Sequence, residues 1–371
     1  MAYIDAGSDL QRKKWMREGL VQAKAKSFWA PYTGMTADSC VVQVNNQNAA
    51  DGHTVVFDYD GNLSGKAIKG KETAYGKGEK KKKFSDKITV ERYRIPVDNG
   101  DAFDAVDVGD LSISQHSDSR AKLADLFIRF KDQILFDAAQ GVNGQSPSHI
   151  IDLGTTFDSD SLLDIEQIVK TASGFDTGGA RSPLYPYMLQ DGKPVWIFVV
   201  DSFMATMLKK STKYQSLVYN ADVRGADNRA IKGVIGKLGS LIIVEADVFF
   251  GYTDTDGAIG IQNNEVEIAG LRRYDESGIW TGQISYDSTE DQHSRGFIMG
   301  KNALQIGFGK MPDYKWQLST DFGITSESAL EVWLNTQKTI LTAEMDDYKA
   351  AKLAGFDFGI VAVDVQTYTA P

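Results

Sequence analysis

One cysteine in 371 residues, Cys40, excludes an internal disulfide and a thiolate zinc cluster. The four histidines, His53, His116, His149 and His293, lie far apart and none sits in an HExxH pattern, so no metal is expected. No apolar run approaches the ~20 residues that span a bilayer. The first twenty residues contain no apolar h-region, so folding in a cytoplasm with no membrane partner is expected. Gly233, Gly236 and Gly239 do not make a phosphate loop: the spacing is too short, and Lys237 is followed by Leu238 where Ser or Thr is needed. Tyr252–Gly257 does not make a standard calcium loop, because the first and twelfth positions are Tyr252 and Asn263 where acids are required. No GxSxG elbow is present. Asp98, Asp101, Asp104, Asp107 and Asp110 recur every third residue, which reads as an acidic turn before a helix and not as an acid/base pair. No cofactor and no catalytic residue is expected.

What is present is a sharply uneven charge. The net charge is -10, yet residues 60–95 hold nine Lys and two Arg against five acids, a balance of +6 that leaves -16 for the rest. A basic limb on an acidic body suits self-association, with the limb of one copy meeting the body of another. An acidic body also argues against sequence-specific DNA binding. The 35 glycines point to many turns and bends.

Residues 1–51 read as an arm. Its aromatic residues Trp15, Phe28, Trp29 and Tyr32 need a surface to lie on, on the same subunit or on a neighbour. Residues 52–98 read as one long hairpin. Val55, Phe57 and Tyr59 alternate on the way out; on the way back Ile88 and Val90 share one face and Tyr93, Ile95 and Val97 the other. That switch near Arg92 predicts a bulge, or a strand passing from one environment into another. The tip is rich in Gly and Lys, and its contact candidates are Lys66, Lys69, Lys71, Glu72, Lys77 and the run Lys80, Lys81, Lys82 and Lys83. With ~20 residues a limb the ribbon would reach ~65 Å. Such a ribbon alone is marginal in water, and a neighbouring copy is its simplest support.

The clearest helix spans 118–140, with Leu123, Leu126, Phe127, Phe130, Ile134 and Leu135 at helical spacing. Ser117 or Asp118 can cap it and Gly141 can end it. A second helix is predicted over 161–172, with Leu162, Ile165, Ile168 and Val169 inward. Val195–Val200 and Leu241–Glu245 read as buried strands around a helix at 201–210. Further strands are predicted at 303–309, 331–334, 339–341 and 359–365, with weak signals over 251–295. Helices and strands are not in βαβ order, so the class is α+β.

Several segments, in order, resemble the major capsid proteins of enquatro-like podophages, a family of tailed bacteriophages. They are the Gly-rich hairpin closing on ERYRIPVDNG, the helix SRAKLADLFIRFKDQILFDAAQG, RGADNRAIKGVIGKLGSLIIVEADVF with Asn228 before its K-G-x-x-G turn, FIMGKNALQIGFGK, and Asp321–Phe322–Gly323 followed by GIVAVDVQTYTA. The likeness covers roughly residues 50–371. It implies the Hong Kong-97 fold: an N-terminal arm (1–51), an E-loop (52–98), a P-domain (99–184) whose spine helix is 118–140, an A-domain (185–300), and a return to the P-domain (301–371). It implies a structural protein, not an enzyme, that assembles with itself as hexamers and pentamers into an icosahedral shell around double-stranded DNA, held non-specifically. The expected location is the virion, with assembly in the host bacterial cytoplasm. The partners implied are a portal, a scaffolding protein and a possible decoration protein. A separate scaffold and no amino-terminal processing are expected, because only about fifty residues precede the hairpin. Covalent crosslinking is not expected, since no asparagine partner or catalytic acid can be assigned. An encapsulin-like compartment with an enzyme cargo is the alternative of the same fold, and a phage-particle enzyme with an acidic site is a remote third.

Overall fold

The computed structural model describes residues 27–36, 38–45, 53–61, 67–78, 82–101, 115–141, 146–172, 184–190, 192–215, 234–246, 251–253, 292–318, 325–340, 342–343 and 356–368. After a short turn of 3-10 helix at Ala30–Tyr32 come β1 (Thr33–Gly34), β2 (Val41–Asn45), β3 (Thr54–Gly61), β4 (Lys82–Thr89) and β5 (Glu91–Asp101). The helix α1 (Gln115–Gln140) leads to β6 (Ile150–Asp152), α2 (Ser159–Ala172), β7 (Met188–Gln190), β8 (Lys193–Val200) and α3 (Ser202–Lys210). The remainder is β9 (Val234–Leu238), β10 (Leu241–Glu245), β11 (Gly251–Thr253), β12 (Gln292–Met299), β13 (Leu304–Leu318), β14 (Thr325–Lys338), β15 (Thr342–Ala343) and β16 (Ile360–Tyr368).

These strands form three sheets. One has the order β1-β2-β13-β14-β5. A larger one has the order β6-β16-β12-β8-β10-β9, with β7 on β8 and β11 on β12. A small one has the order β15-β4-β3. The class is mixed and sheet-rich, as the irregular order of elements predicts. The apolar run at 195–200 is fully buried in β8, paired in parallel with β10 and antiparallel with β12. Asp201 caps α3 by accepting from the Met204 N–H at 2.8 Å.

Helix α1 crosses the seam between the two large sheets. Leu123, Phe127 and Leu135 are buried in one core with Val332 and Leu334 of β14 and Phe297 of β12. At 1.5 Å per residue it is ~39 Å long. Its start lies at Gln115, three residues before the predicted one, so neither Ser117 nor Asp118 caps it. Its end is where the sequence puts it: Gly141 takes φ 85° and its N–H donates to the Asp137 and Ala138 carbonyls. Gln140, wholly buried there, bonds the Arg295 carbonyl and in turn accepts from the Arg295 guanidinium, each at 3.4 Å. That guanidinium also grips Asp364 of β16 through two bonds of 2.6 Å. The helix end is thereby tied to the larger sheet.

The sheets join where β12 turns into β13. Gly300 must be glycine there, because a Cβ would stand 1.9 Å from the Tyr185 carbonyl oxygen. Three predictions need correction. Ile168 of α2 is 45% exposed while Leu162, Ile165 and Val169 are buried, because Ile168 stands about a quarter-turn off that stripe. The strands predicted at 303–309 and 331–334 are much longer, since each continues through polar residues whose backbones pair across β13 and β14. In the segment 339–341, Ile340 makes only an isolated bridge to Asp357, and the next strand starts at Thr342.

Arg295 and Asp364 are both nearly buried, with side chains 6% and 12% exposed. Replacing Asp364 by Ala strands the guanidinium and is expected to cost about 3–5 kcal/mol, read as a lower urea midpoint.

Candidate assembly interface

The arm is held by one carboxylate on α1. Asp132 Oδ1 accepts the Ser27 hydroxyl at 2.6 Å and Oδ2 accepts the Phe28 N–H at 2.8 Å. The Asp132 carbonyl accepts the Trp29 indole N–H at 3.2 Å. Burial pushes the Asp132 pKa up, although the Ser27 hydroxyl, Lys131 and the Phe28 N–H oppose it. Trp29 is fully buried, with its ring 4.9 Å from Phe136 and stacked 5.9 Å from Phe297. Phe28 also meets Phe136, and Tyr32 meets Tyr187. Of the two surfaces open to the arm aromatics, these three use their own subunit. Trp15 lies outside the described residues.

The hairpin has a rooted base and an exposed tip. β3 and β4 pair from Thr54↔Thr89 to Gly61↔Lys82, eight residues a side, or ~27 Å. The hairpin therefore ends at Thr89 and not at residue 98. After Val90 the chain leaves this small sheet, and β5 pairs with β14 in the five-stranded one. This is the change of environment that the switched apolar face predicts. Val55, Phe57, Ile88 and Val90 form a small core with Val42, against which Val44 and Trp333 pack. Three residues beyond the strand pairing pin the root: Asn335 donates to the Thr89 carbonyl at 2.9 Å, Gln337 to the Lys87 carbonyl at 3.1 Å, and the Ile340 N–H to Asp86 at 2.9 Å. The base of the ribbon thus needs no neighbour.

The tip differs. Among its described residues Lys69, Lys71, Glu72 and Lys77 are exposed, and Tyr75 is 94% exposed. Gly70 and Gly76 take the left-handed φ values of 77° and 81° that turn the chain there. Lys77 and Glu72 form a solvated 3.1 Å pair, of the kind worth little in isolation. Lys83 is exposed, Lys82 is described only in its backbone, and Lys66, Lys80 and Lys81 lie outside the described residues. Of the predicted core of the long helix, Leu123, Phe127 and Leu135 are buried, while Leu126, Phe130 and Ile134 are half-buried. The periodicity reading missed Ile128 and Phe136, also buried.

On the face of the five-stranded sheet away from α1, Glu331 gathers three cations. Its carboxylate meets Arg92 at 2.5 Å, Lys310 at 3.0 Å, and Lys315. Burial pushes its pKa up, but the bonds from Lys315 and Lys310 outweigh that and hold it down at about 2. Among the described residues no group of three His, Cys, Asp or Glu could hold a metal ion. Acids of the triplet run at 104, 107 and 110 lie outside the described residues. Residues 254–291, most of the weakly patterned stretch, do too.

A family model described as "Phage capsid protein" matches residues 4–162. In a search of solved structures, the capsid of Ralstonia phage GP4 superposes with TM-score 0.67 at 16% identity, covering 93% of this chain and 92% of that one. The head of Helicobacter pylori bacteriophage KHP40 gives 0.68 at 12%, covering 92% of each. The fold is that of phage capsid subunits. Cyanophage Pam1 shares this capsid fold with TM-score 0.60 at 12% identity, over 99% of this chain and 95% of that one. No curated protein matches the chain. The long helix on a seam and the projecting hairpin are therefore features of a chain with the capsid fold.

Asp137 lies in the last turn of α1, where the helix carbonyls are negative and no basic residue compensates. Burial raises its pKa to about 7, and its Oδ1 is buried without a hydrogen-bond partner. A carboxyl raised in the folded state favours folding below its unfolded pKa and loses that contribution as pH rises through about 7. Asp137→Asn is expected to raise Tm at pH 8 and to leave it unchanged near pH 4, measured by calorimetry across that range.

Proposed function

We propose that this chain is the major capsid protein of a tailed phage, of the Hong Kong-97 type and nearest the enquatro-like podophages. The observation that carries the reading is the capsid fold, matched over more than nine-tenths of this chain and of three phage capsid chains. The family match over 4–162 supports it independently. In this reading α1 is the spine helix, β3 and β4 form the E-loop, and the larger sheet is the heart of the A-domain. The chain is structural and performs no catalysis. Its copies form hexamers and pentamers that close into an icosahedral shell around double-stranded DNA. They do so in the host cytoplasm, with a portal and a separate scaffolding protein, and with a surface that can accept decoration. DNA contact is non-specific, since a net charge of -10 repels phosphates except at local basic spots.

The hairpin lysines are the contacts with neighbouring copies. A basic tip on an acidic body is attracted to the next subunit, and exposed pairs of ~0.2–1 kcal/mol each are repeated in every copy of a shell.

Electron microscopy of the purified protein, alone and co-expressed with its genomic neighbours, is expected to show uniform closed shells. Discrete monomers or small oligomers in both preparations would overturn the proposal. Replacing Lys80–Lys83 with Glu is expected to lower the yield of shells in the same assay while circular dichroism of the subunit stays unchanged. Normal shells from that variant would remove the run from the interface.

A further inference from the structure

Lys310 faces the wrong way for an unbroken strand. Every second residue before it, Leu304, Ile306 and Phe308, points into the core shared with α1, and Tyr314 joins them there. Continued alternation would put Lys310 among them. The pairing of β13 with β14 instead shifts register twice, between Phe308 and Lys310 and again between Lys310 and Asp313. The first bulge turns Lys310 onto the outer face of the sheet. The second restores the phase, so that Tyr314 returns to the core and Lys315 stays outside. Two bulges in succession thus bring a second lysine of the same strand to Glu331.

Strand β5 completes this face. Arg92 lies across from Trp333 and Arg94 from Glu331. Both arginines are exposed, on the side of the strand opposite Tyr93 and Ile95, which pack on the core. Arg92, Arg94, Lys310 and Lys315 therefore share a patch three strands wide and three rows long, ~10 Å by ~14 Å. Asp98 and Glu327 form the next row and bound it. Within the patch four cations stand against two acids, Glu331 and Asp313, a surplus of +2. One cation would satisfy Glu331, and the others repel one another. The Glu331 carboxylate, 2% exposed, positions three of them while leaving Arg92, Lys310 and Lys315 39%, 31% and 54% exposed. A guanidinium brings five N–H donors and an ammonium three, more than these pairs use. We propose that this face is a binding site for an oxyanion of the phosphate type, held by Arg92, Arg94, Lys310 and Lys315 above Glu331. A phosphate group of about −1.5 to −2 charge near neutral pH matches the surplus. The guanidinium forks suit paired oxygens, and the lysines add point charges. The same group is presented by the free ion and by a nucleic-acid backbone.

The test is equilibrium dialysis of radiolabelled inorganic phosphate against the purified full chain at low ionic strength, where screening is weak. Saturable uptake of a single ion per chain is expected. Arg94→Ala and Lys315→Ala are each expected to weaken it about tenfold or more, as loss of one charge-assisted hydrogen bond would. Lys209→Ala, which removes a cation paired with Glu245 elsewhere on the chain, should leave it unchanged. Circular dichroism establishes that each variant folds. Duplex DNA added as competitor separates the two sources: displacement of the phosphate assigns the site to a nucleic-acid backbone, and no displacement assigns it to the free ion. Lack of saturable uptake, or equal weakening by Lys209→Ala and by the two patch variants, would overturn the site.

Discussion

The packing of α1 across the seam between two sheets is the constraint on which the rest depends. Neither large sheet is closed, and each exposes an apolar face that must be covered. One helix covers parts of both: Val332 and Leu334 from the first sheet and Phe297 from the second share its core. Three segments are fastened to this helix by hydrogen bonds. The arm is fastened at Asp132, the larger sheet at Gln140 through Arg295, and β14 at Ile134, whose carbonyl accepts the Thr336 hydroxyl at 3.0 Å. Amphipathic packing supplies the energy, and a few buried polar bonds choose which neighbour goes where.

Local patterns were legible in the sequence, and long-range pairings were not. The helix and its terminating glycine follow from 3.6-residue spacing and the left-handed turn at Gly141. The buried strand at 195–200 follows from an unbroken apolar run. The exit from the hairpin was visible as a changed face, but its position was not. Alternation continues on both sides of Val90, and no local signal marks a change of partner. The parallel pairing of β2 with β13 joins residues more than 250 positions apart, and nothing in either segment announces it. Asp132 did leave a signal: it sits one turn from both Ile128 and Phe136, an acid on an apolar stripe. A carboxylate placed there needs buried donors, and the arm provides them.

The candidate contact surfaces were legible to a different degree. Composition alone picks out the lysine-rich tip, because a segment with so little apolar content cannot bury itself. The exposure of Ile168 on α2 was masked by the helix's own amphipathicity. Ile168 satisfies a loose helical pattern, and only the angle about the helix axis separates it from the buried side. The Glu331 cluster was invisible, since its three cations come from β5 and from two sides of a bulge in β13. The capsid fold is shared with the Ralstonia phage GP4 and KHP40 chains at 12–16% identity.

The rooting of the hairpin makes it a cantilever. Asn335 and Gln337 hold the carbonyls of β4 on one side of β14, while Thr336 between them holds the Ile134 carbonyl of α1 on the other. Bending or pulling on the paired strands β3 and β4 therefore reaches the helix backbone through three consecutive residues. The paired strands and the helix behave as one lever, so a load on those strands also exerts torque on the helix that spans both sheets.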